Sequence, residues 1–211
     1  MTLSKTAETY IEFLKIRKAS FADQIRFIEQ NWSYIQGLPE NELTEVQLHY
    51  VIALFEVGAY QKFLEQADAL IEHVIKENIM LFKGKDIYFE LLLNKASSHY
   101  NLIQNDQAMS VSRQLKRMHP DHPVNNLLLQ KIYRRKFSQE HRHYNAFGIA
   151  LYFLSGFIIA VELFIVNPFY HAHRDLCQML WQTVFFLASS VLLLNQAWIY
   201  WKARKSIKKT D

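Results

Sequence analysis

Nine histidines, one cysteine and a lone carboxylate inside an apolar run are the residues of this chain with chemistry to offer. His171, His173, Asp175 and Cys177 fall within seven residues and are all of types that bind transition metals. Their spacing matches no recognised ligand pattern, and a polar loop at an interface accounts for them. No metal and no cofactor is expected. His141, Arg142 and His143 form a basic group suited to lipid headgroups, with a pH-sensing role as the alternative. His119 and His122 read as turn residues. A single cysteine rules out an intrachain disulfide framework and any multi-cysteine metal site. The chain carries no glycine-rich phosphate loop, no G-x-S-x-G elbow and no Cys/His nucleophile arrangement. The chain is therefore expected not to be an enzyme.

The lone carboxylate is Glu162, in the run FGIALYFLSGFIIAVELFIV at residues 147–166. A second run, LWQTVFFLASSVLLLNQAWI at residues 180–199, holds no charge. Each is long enough to cross a bilayer as a helix, with spans placed at about 146–166 and 180–200. Five basic residues lie between Lys131 and Arg142 and five follow Trp201, against Arg174 alone in the connection NPFYHAHRDLCQM. Positive charge in short flanks stays on the cytoplasmic side, so the runs form a hairpin with both termini cytoplasmic. Trp181 marks the outer interface, and Trp198, Tyr200 and Trp201 the inner one. Arg134, Arg135, Lys136, Lys202, Arg204 and Lys205 are expected to meet lipid headgroups. Residues 202–211 form a basic cytoplasmic tail.

Within the hairpin, Gly148, Ser155 and Glu162 recur every seven residues, as do Gln182, Ser189 and Gln196, with Thr183, Ser190 and Ala197 beside them. Matching depths in an antiparallel pair sets Glu162 level with Gln182 and Thr183. It sets Ser155 level with Ser189 and Ser190, and Gly148 level with Gln196 and Ala197. Small and hydroxylic residues let helices approach, and polar ones bond across the seam. Gly156 and Ala160 add a small-xxx-small pair. Glu162 is then a seam residue bonded to Gln182; the rival reading makes it a pore carboxylate in a homo-oligomer.

Residues 1–143 differ in kind. Through residue 130 they carry 13 Lys+Arg against 16 Asp+Glu, which gives nucleic acid no basic surface to bind. With 5 Gly and 4 Pro in 211 residues, the composition favours helix over turn-rich β-structure. Polar and apolar spacing predicts helices near 4–18, 20–36, 43–57, 60–77, 86–103, 105–118 and 123–143. Ser20 with Asp23 and Thr44 with Gln47 look like capping boxes, Asp106 like a cap, and Pro123 like a first-turn proline. Nothing between 124 and 147 is Pro or Gly, so the last helix is expected to run unbroken into the first span. The fold class is all-α: a cytoplasmic helical array followed by a two-helix transmembrane hairpin.

In NKASSHYNLIQNDQAMSVSRQLKRMHPDHP, Ala96, Ala108 and Pro120 are spaced by twelve, with Tyr100 in the first helix. This stretch resembles a tetratricopeptide repeat, an α-solenoid motif. A second copy, HYVIALFEVGAYQKFLEQADALIEHV, has Gly58 and Tyr60 at the turn and Ala67 and Leu70 beyond it. Phe63 stands where the family has a small residue, and the copies are offset by 45 rather than by the family's 34. The resemblance covers about residues 43–122. It implies a concave groove lined by first helices, here His49, Tyr50 and Ala53, then Leu92, Lys95 and His99. Tyr50, Lys95 and His99 are the expected contacts to a protein partner.

The implied function is a membrane-anchored adaptor that holds a partner at the cytoplasmic face. A membrane effector whose hairpins assemble into a pore, and a subunit of a larger membrane complex, are the alternatives. Abundant Tyr and Phe, few glycines and loops rich in Lys, Asn and Gln point to a bacterial source, hence an inner membrane.

Overall fold

Ser20 opens the second helix as the sequence predicts. The Asp23 amide donates to its hydroxyl at 3.3 Å, and that hydroxyl donates to the Asp23 carboxylate at 2.6 Å. The computed structural model describes residues 5–16, 20–82 and 84–208. In chain order come α1 (Lys5–Ile16), α2 (Phe21–Gln30), α3 (Trp32–Ile35), α4 (Glu40–Glu56) and α5 (Tyr60–Lys76). A two-residue ladder follows, β1 (Leu81–Phe82) antiparallel to β2 (Lys85–Asp86). Then come α6 (Ile87–Asn101), α7 (Asn105–Met118), α8 (Pro123–Glu140), α9 (Arg142–Val161), α10 (Asn167–Phe169) and α11 (Arg174–Lys208). The protein is all-α. The chain divides into two units, residues 1–128 and 129–211.

Several boundaries differ from the sequence reading, each for a local reason. The helix predicted over 20–36 breaks at Asn31, whose backbone and side-chain amides both donate to Phe27 O, at 3.1 and 2.9 Å. That local bond competes with helix propagation. Thr44 is not a cap: α4 begins four residues earlier, after Pro39, and the Thr44 hydroxyl donates to Glu40 O at 2.8 Å. Asp106 lies in the first turn of α7 and does not cap it, since the helix begins at Asn105. The cap that spacing alone missed is Asp86, which accepts from the Phe89 amide at 2.9 Å.

α4, α5 and α6 share one way of stopping. The amides of Ala59, Ile79 and Gln104 donate to Leu54, Val74 and His99 O, five residues back. The amides of Gly58, Asn78 and Ile103 donate to Phe55, Ile75 and Tyr100 O, three back. This is the Schellman arrangement, which needs a left-handed residue after the helix. Gly58 has φ +79°, Asn78 +52° and Ile103 +64°. Glycine and asparagine accept that conformation; a β-branched isoleucine is strained in it.

Within the first unit one helix boundary recurs at a fixed interval. α6 ends and α7 begins 45 residues after α4 ends and α5 begins. Buried positions repeat at the same interval: Val46 and Leu91, Val51 and Ala96, Ala53 and Ser98, Phe63 and Ala108, Ala67 and Ser112, Leu70 and Leu115. On α5 the buried Phe63, Ala67, Leu70 and Val74 follow helical spacing, one stripe turned inward. Phe63 is fully buried where its counterpart Ala108 is small, so the two pairs close around different volumes. Burying such an aromatic contributes roughly 1.5–3 kcal/mol. A second cluster, Phe13, Ile28, Ile35, Leu38 and Val46, joins the first three helices to α4.

In the second unit, α9 and α11 lie along each other. After α9 a π-helical turn, Glu162–Val166, leads into α10 and a 3-10 turn at His171–His173. The stretches Arg142–Phe169 and Arg174–Ile207 are each long and apolar enough to cross a membrane. Phe153, Phe157, Phe164, Phe186, Leu193 and Leu194 are exposed on this pair. The last helix does not run unbroken into the first apolar stretch: α8 stops at Glu140 and α9 starts at Arg142, with His141 at φ −100° and ψ 16° between them.

Candidate functional site

The first unit has a cleft of about 440 Å³ against α4 and α5, lined in part by Trp32, Leu43, Gln47, Tyr50, Gln66 and His73. Its wall is mixed, with aromatic and aliphatic surface beside amides and an imidazole. Tyr50 sits at its edge and donates to Glu29 Oε1 at 3.0 Å, while Lys62 Nζ lies 3.1 Å from the same oxygen. Burial, reinforced by the Glu29 carboxylate that accepts its proton, pushes the Tyr50 hydroxyl up to about 12.

Of the three expected contacts, only Tyr50 lines this cleft. Lys95 is ion-paired with Asp68 of α5. His99 Nδ1 lies 2.6 Å from Gln104 Oε1, across the turn into α7. The Lys95 pair joins α6 to α5 and the His99 contact stays at the α6–α7 turn, and neither residue lines the cleft with Tyr50. His49, Ala53 and Leu92 are buried in the core, so they do not face a groove.

A second cavity, of about 360 Å³, opens beside the N-terminal end of α4 and the C-terminal end of α5. Here Glu40, His73 and Glu77 converge, with one ligand atom from each within 4.8 Å of the others. Thr44 Oγ1 lies 2.8 Å from His73 Nε2. The sequence reading passed over these residues because Glu40 and Thr44 are far from His73 in the chain. The i, i+4 spacing of His73 and Glu77, which puts both on one helix face, was the local signal.

The hairpin seam is real but set differently from its sequence version. Tyr152 Oη and Ser189 Oγ are 2.7 Å apart, and Asn195 Nδ2 donates to Asn145 Oδ1 at 2.8 Å. A Cβ on Gly148 would stand 2.6 Å from Leu192 Cδ2. Ser155, buried, donates to Trp181 O at 3.2 Å. The facing residues on α11 therefore include Trp181, Ala188, Leu192, Asn195 and Ile199. Gly148 pairs with Leu192 rather than with Gln196, a slide of about one turn.

Gln182 and Ser189 are half-buried, whereas Thr183, Ser190 and Gln196 are exposed, and the Thr183 hydroxyl donates back to Met179 O at 2.7 Å. Gly156 has nothing within 4 Å of where its Cβ would be, so the Gly156 and Ala160 pair lies outside the seam. Glu162 is half-buried at the start of the π turn; among the described residues no hydrogen bond joins it to Gln182 or Thr183. π turns gather at functional sites.

The basic flanks sit on aromatic rings. Arg134 lies over Tyr200, Lys202 over Phe137 and Lys205 over Trp201, and Lys202 Nζ is 3.8 Å from Glu140 Oε2. Arg204 is exposed, and Arg135 and Lys136 are half-buried. In the connecting loop the His171 side chain lies outside the described residues. His173, Asp175 and Cys177 belong to no metal-ligating group among the described residues.

Comparison with protein-family models, with curated proteins and with solved structures finds no match in any of the three.

Proposed function

We propose that this chain is a membrane-anchored helical-repeat adaptor, which binds a protein partner through its first unit and catalyses nothing. The observation that carries the reading is a helix boundary that recurs after 45 residues in a chain that also holds two long apolar helices. Duplicated helix pairs stack into surfaces suited to peptides and partner helices. The resemblance to a tetratricopeptide repeat rests on Ala96 and Ala108, both fully buried, in α6 and α7, which pack together. The period of 45, and the bulky Phe63 in α5 of the first pair, set the two pairs apart from that family's own pattern. The apolar pair crosses the membrane as a hairpin, its basic flanks on the cytoplasmic side, where Arg134 and Lys205 meet headgroups. The partner's seat is the cleft beside Tyr50.

One observation favours a second reading. Ser190 and Gln196 are exposed within the uncharged, largely apolar stretch of α11, and such groups in hydrocarbon seek polar neighbours on another helix. Hairpins of several copies would supply them, as a pore-forming effector or as one part of a larger membrane complex.

Purification of the full chain in mild detergent separates these readings. The adaptor reading expects a stoichiometric protein partner that is lost when Gln66→Trp fills the cleft. A partner-free homo-oligomer whose size is unaffected by Gln66→Trp would reject it in favour of the effector.

A further inference from the structure

We propose that Glu40, His73 and Glu77 form a site for one divalent first-row metal ion, zinc above all, which ties the start of α4 to the end of α5. Glu40, Thr44 and His73 also line the cleft beside Tyr50, so the two share a wall, and Glu77 belongs to the second cavity alone; binding of the metal by itself does not depend on what that cleft takes. Its donor set is one imidazole and two carboxylates, a combination that suits zinc and its neighbours. Magnesium and calcium prefer oxygen alone.

The imidazole is already oriented. Thr44 Oγ1 lies 2.8 Å from both Glu40 O and His73 Nε2. A backbone carbonyl only accepts, so the hydroxyl proton goes to Glu40 O and the ring nitrogen Nε2 donates to the hydroxyl. In the tautomer that carries its proton on Nε2, the ring offers the lone pair of Nδ1. Ligating histidines are held in this way, one ring N–H bonded to a neighbour and the opposite nitrogen free for the metal. Thr44 is itself buried, 6% exposed, so the orienting group is fixed.

The carboxylates are free to close. Ligands at about 2.0–2.1 Å from a tetrahedral zinc are roughly 3.4 Å apart, so the group, whose ligand atoms lie within 4.8 Å of one another, must contract by up to about 1.4 Å. Glu40 and Glu77 are both exposed, which leaves their side chains room to rotate toward the ion. Their negative charges gather at one mouth with Glu45, which lines the same cavity and accepts from the Tyr10 hydroxyl at 2.7 Å. Among the described residues Lys76 is a cation beside the site, 3.9 Å from Glu77 and largely in solvent. A metal ion between Glu40 and Glu77 offsets that repulsion, and the three protein ligands leave a position for water.

The test uses the full chain in detergent micelles, freed of metal by a chelator and of any histidine tag by cleavage. Calorimetric titration with zinc chloride is expected to give one tight site per chain, and magnesium or calcium chloride no comparable heat. Glu40→Gln with Glu77→Gln changes only exposed groups and should keep the helical spectrum while weakening zinc at least tenfold. His73→Gln should do the same. Cys177→Ser with His173→Gln should leave the affinity unchanged. The site is refuted if wild type binds no zinc, if the double glutamine variant binds as tightly as wild type, or if only the Cys177 and His173 changes abolish binding.

Discussion

The Asn195 amide donates to the Asn145 carbonyl across 2.8 Å, joining two helices whose outward faces are apolar. Interhelical bonds of this kind contribute roughly 0.6–2 kcal/mol in a membrane. Asn195→Leu should therefore lower hairpin stability by about 1 kcal/mol. Adding Asn145→Leu should cost little more, because its partner is already gone. Gly148→Val should cost more than either, since its Cβ would stand 2.6 Å from Leu192 Cδ2. Reversible unfolding in mixed micelles, run as a double-mutant cycle, checks all three.

The helices and their ends were legible in the sequence because caps and apolar spacing are local. α5 and α7 fall within a residue of their predicted bounds, and Pro123 opens α8. The seam was half legible. Gly148 and Ser155 do face α11, because small and hydroxylic residues at heptad spacing mark close approach whichever helix meets them. A seven-residue stripe does not fix the rotation of the facing helix, nor its slide. The real stripe on α11, Trp181, Ala188 and Asn195, lies one residue before the one chosen for its polarity. Seven positions before Asn195 stands Ala188, so no polar stripe within the apolar run marks it. The Glu40, His73 and Glu77 group was illegible for a different reason: it exists only once α4 and α5 pack.

Ile103 holds a left-handed conformation, φ +64°, at a helix stop where its counterpart is Gly58. Its side chain is 66% exposed, so packing does not compensate. Ile103→Asn removes strain of about 1–2 kcal/mol without the unfolded-state entropy that glycine adds. A rise of about 1 kcal/mol in the stability of the first unit should follow, read by urea unfolding. An unchanged midpoint would mean the Schellman turn does not form.

Tyr50 gives the first unit an alkaline limit. Its pKa stands at about 12 in the folded chain against an ordinary 10.0, raised by burial first and by the Glu29 carboxylate second. A raised pKa leaves stability intact below pH 10 and removes it as pH climbs toward 12, because the unfolded chain loses the proton more readily. Tyr50→Phe should flatten the part of the stability loss between pH 10 and 12 that this hydroxyl causes. Tyrosinate absorbance should lose one late-titrating group in the same variant. A variant whose alkaline profile matches wild type would show that the Tyr50 hydroxyl is not held, buried and bonded to Glu29, as the structure places it.

The proposed topology puts Cys177 outside and the tail inside. An impermeant maleimide should label Cys177 in intact spheroplasts and miss a cysteine placed at position 207 in a Cys177→Ser background. Labelling at 207 alone would invert the hairpin and remove the cytoplasmic adaptor with it.

Glu162 decides between anchor and pore. It starts the π turn, half-buried, with no bond to Gln182 or Thr183. The facing register has slid by about a turn, and the Thr183 hydroxyl is spent on Met179 O. Removing the carboxylate therefore breaks no cross-helix bond, so Glu162→Gln and Glu162→Leu should both leave hairpin stability within about 0.5 kcal/mol of wild type. The adaptor reading further expects no change in ion permeability from either. A pore carboxylate behaves otherwise, because its charge attracts cations and the amide does not. Membrane potential in cells expressing wild type and Glu162→Gln is the measurement. Depolarisation by wild type that Glu162→Gln abolishes would replace the adaptor with the effector; polarised membranes in both strains keep Glu162 as a residue of the anchor.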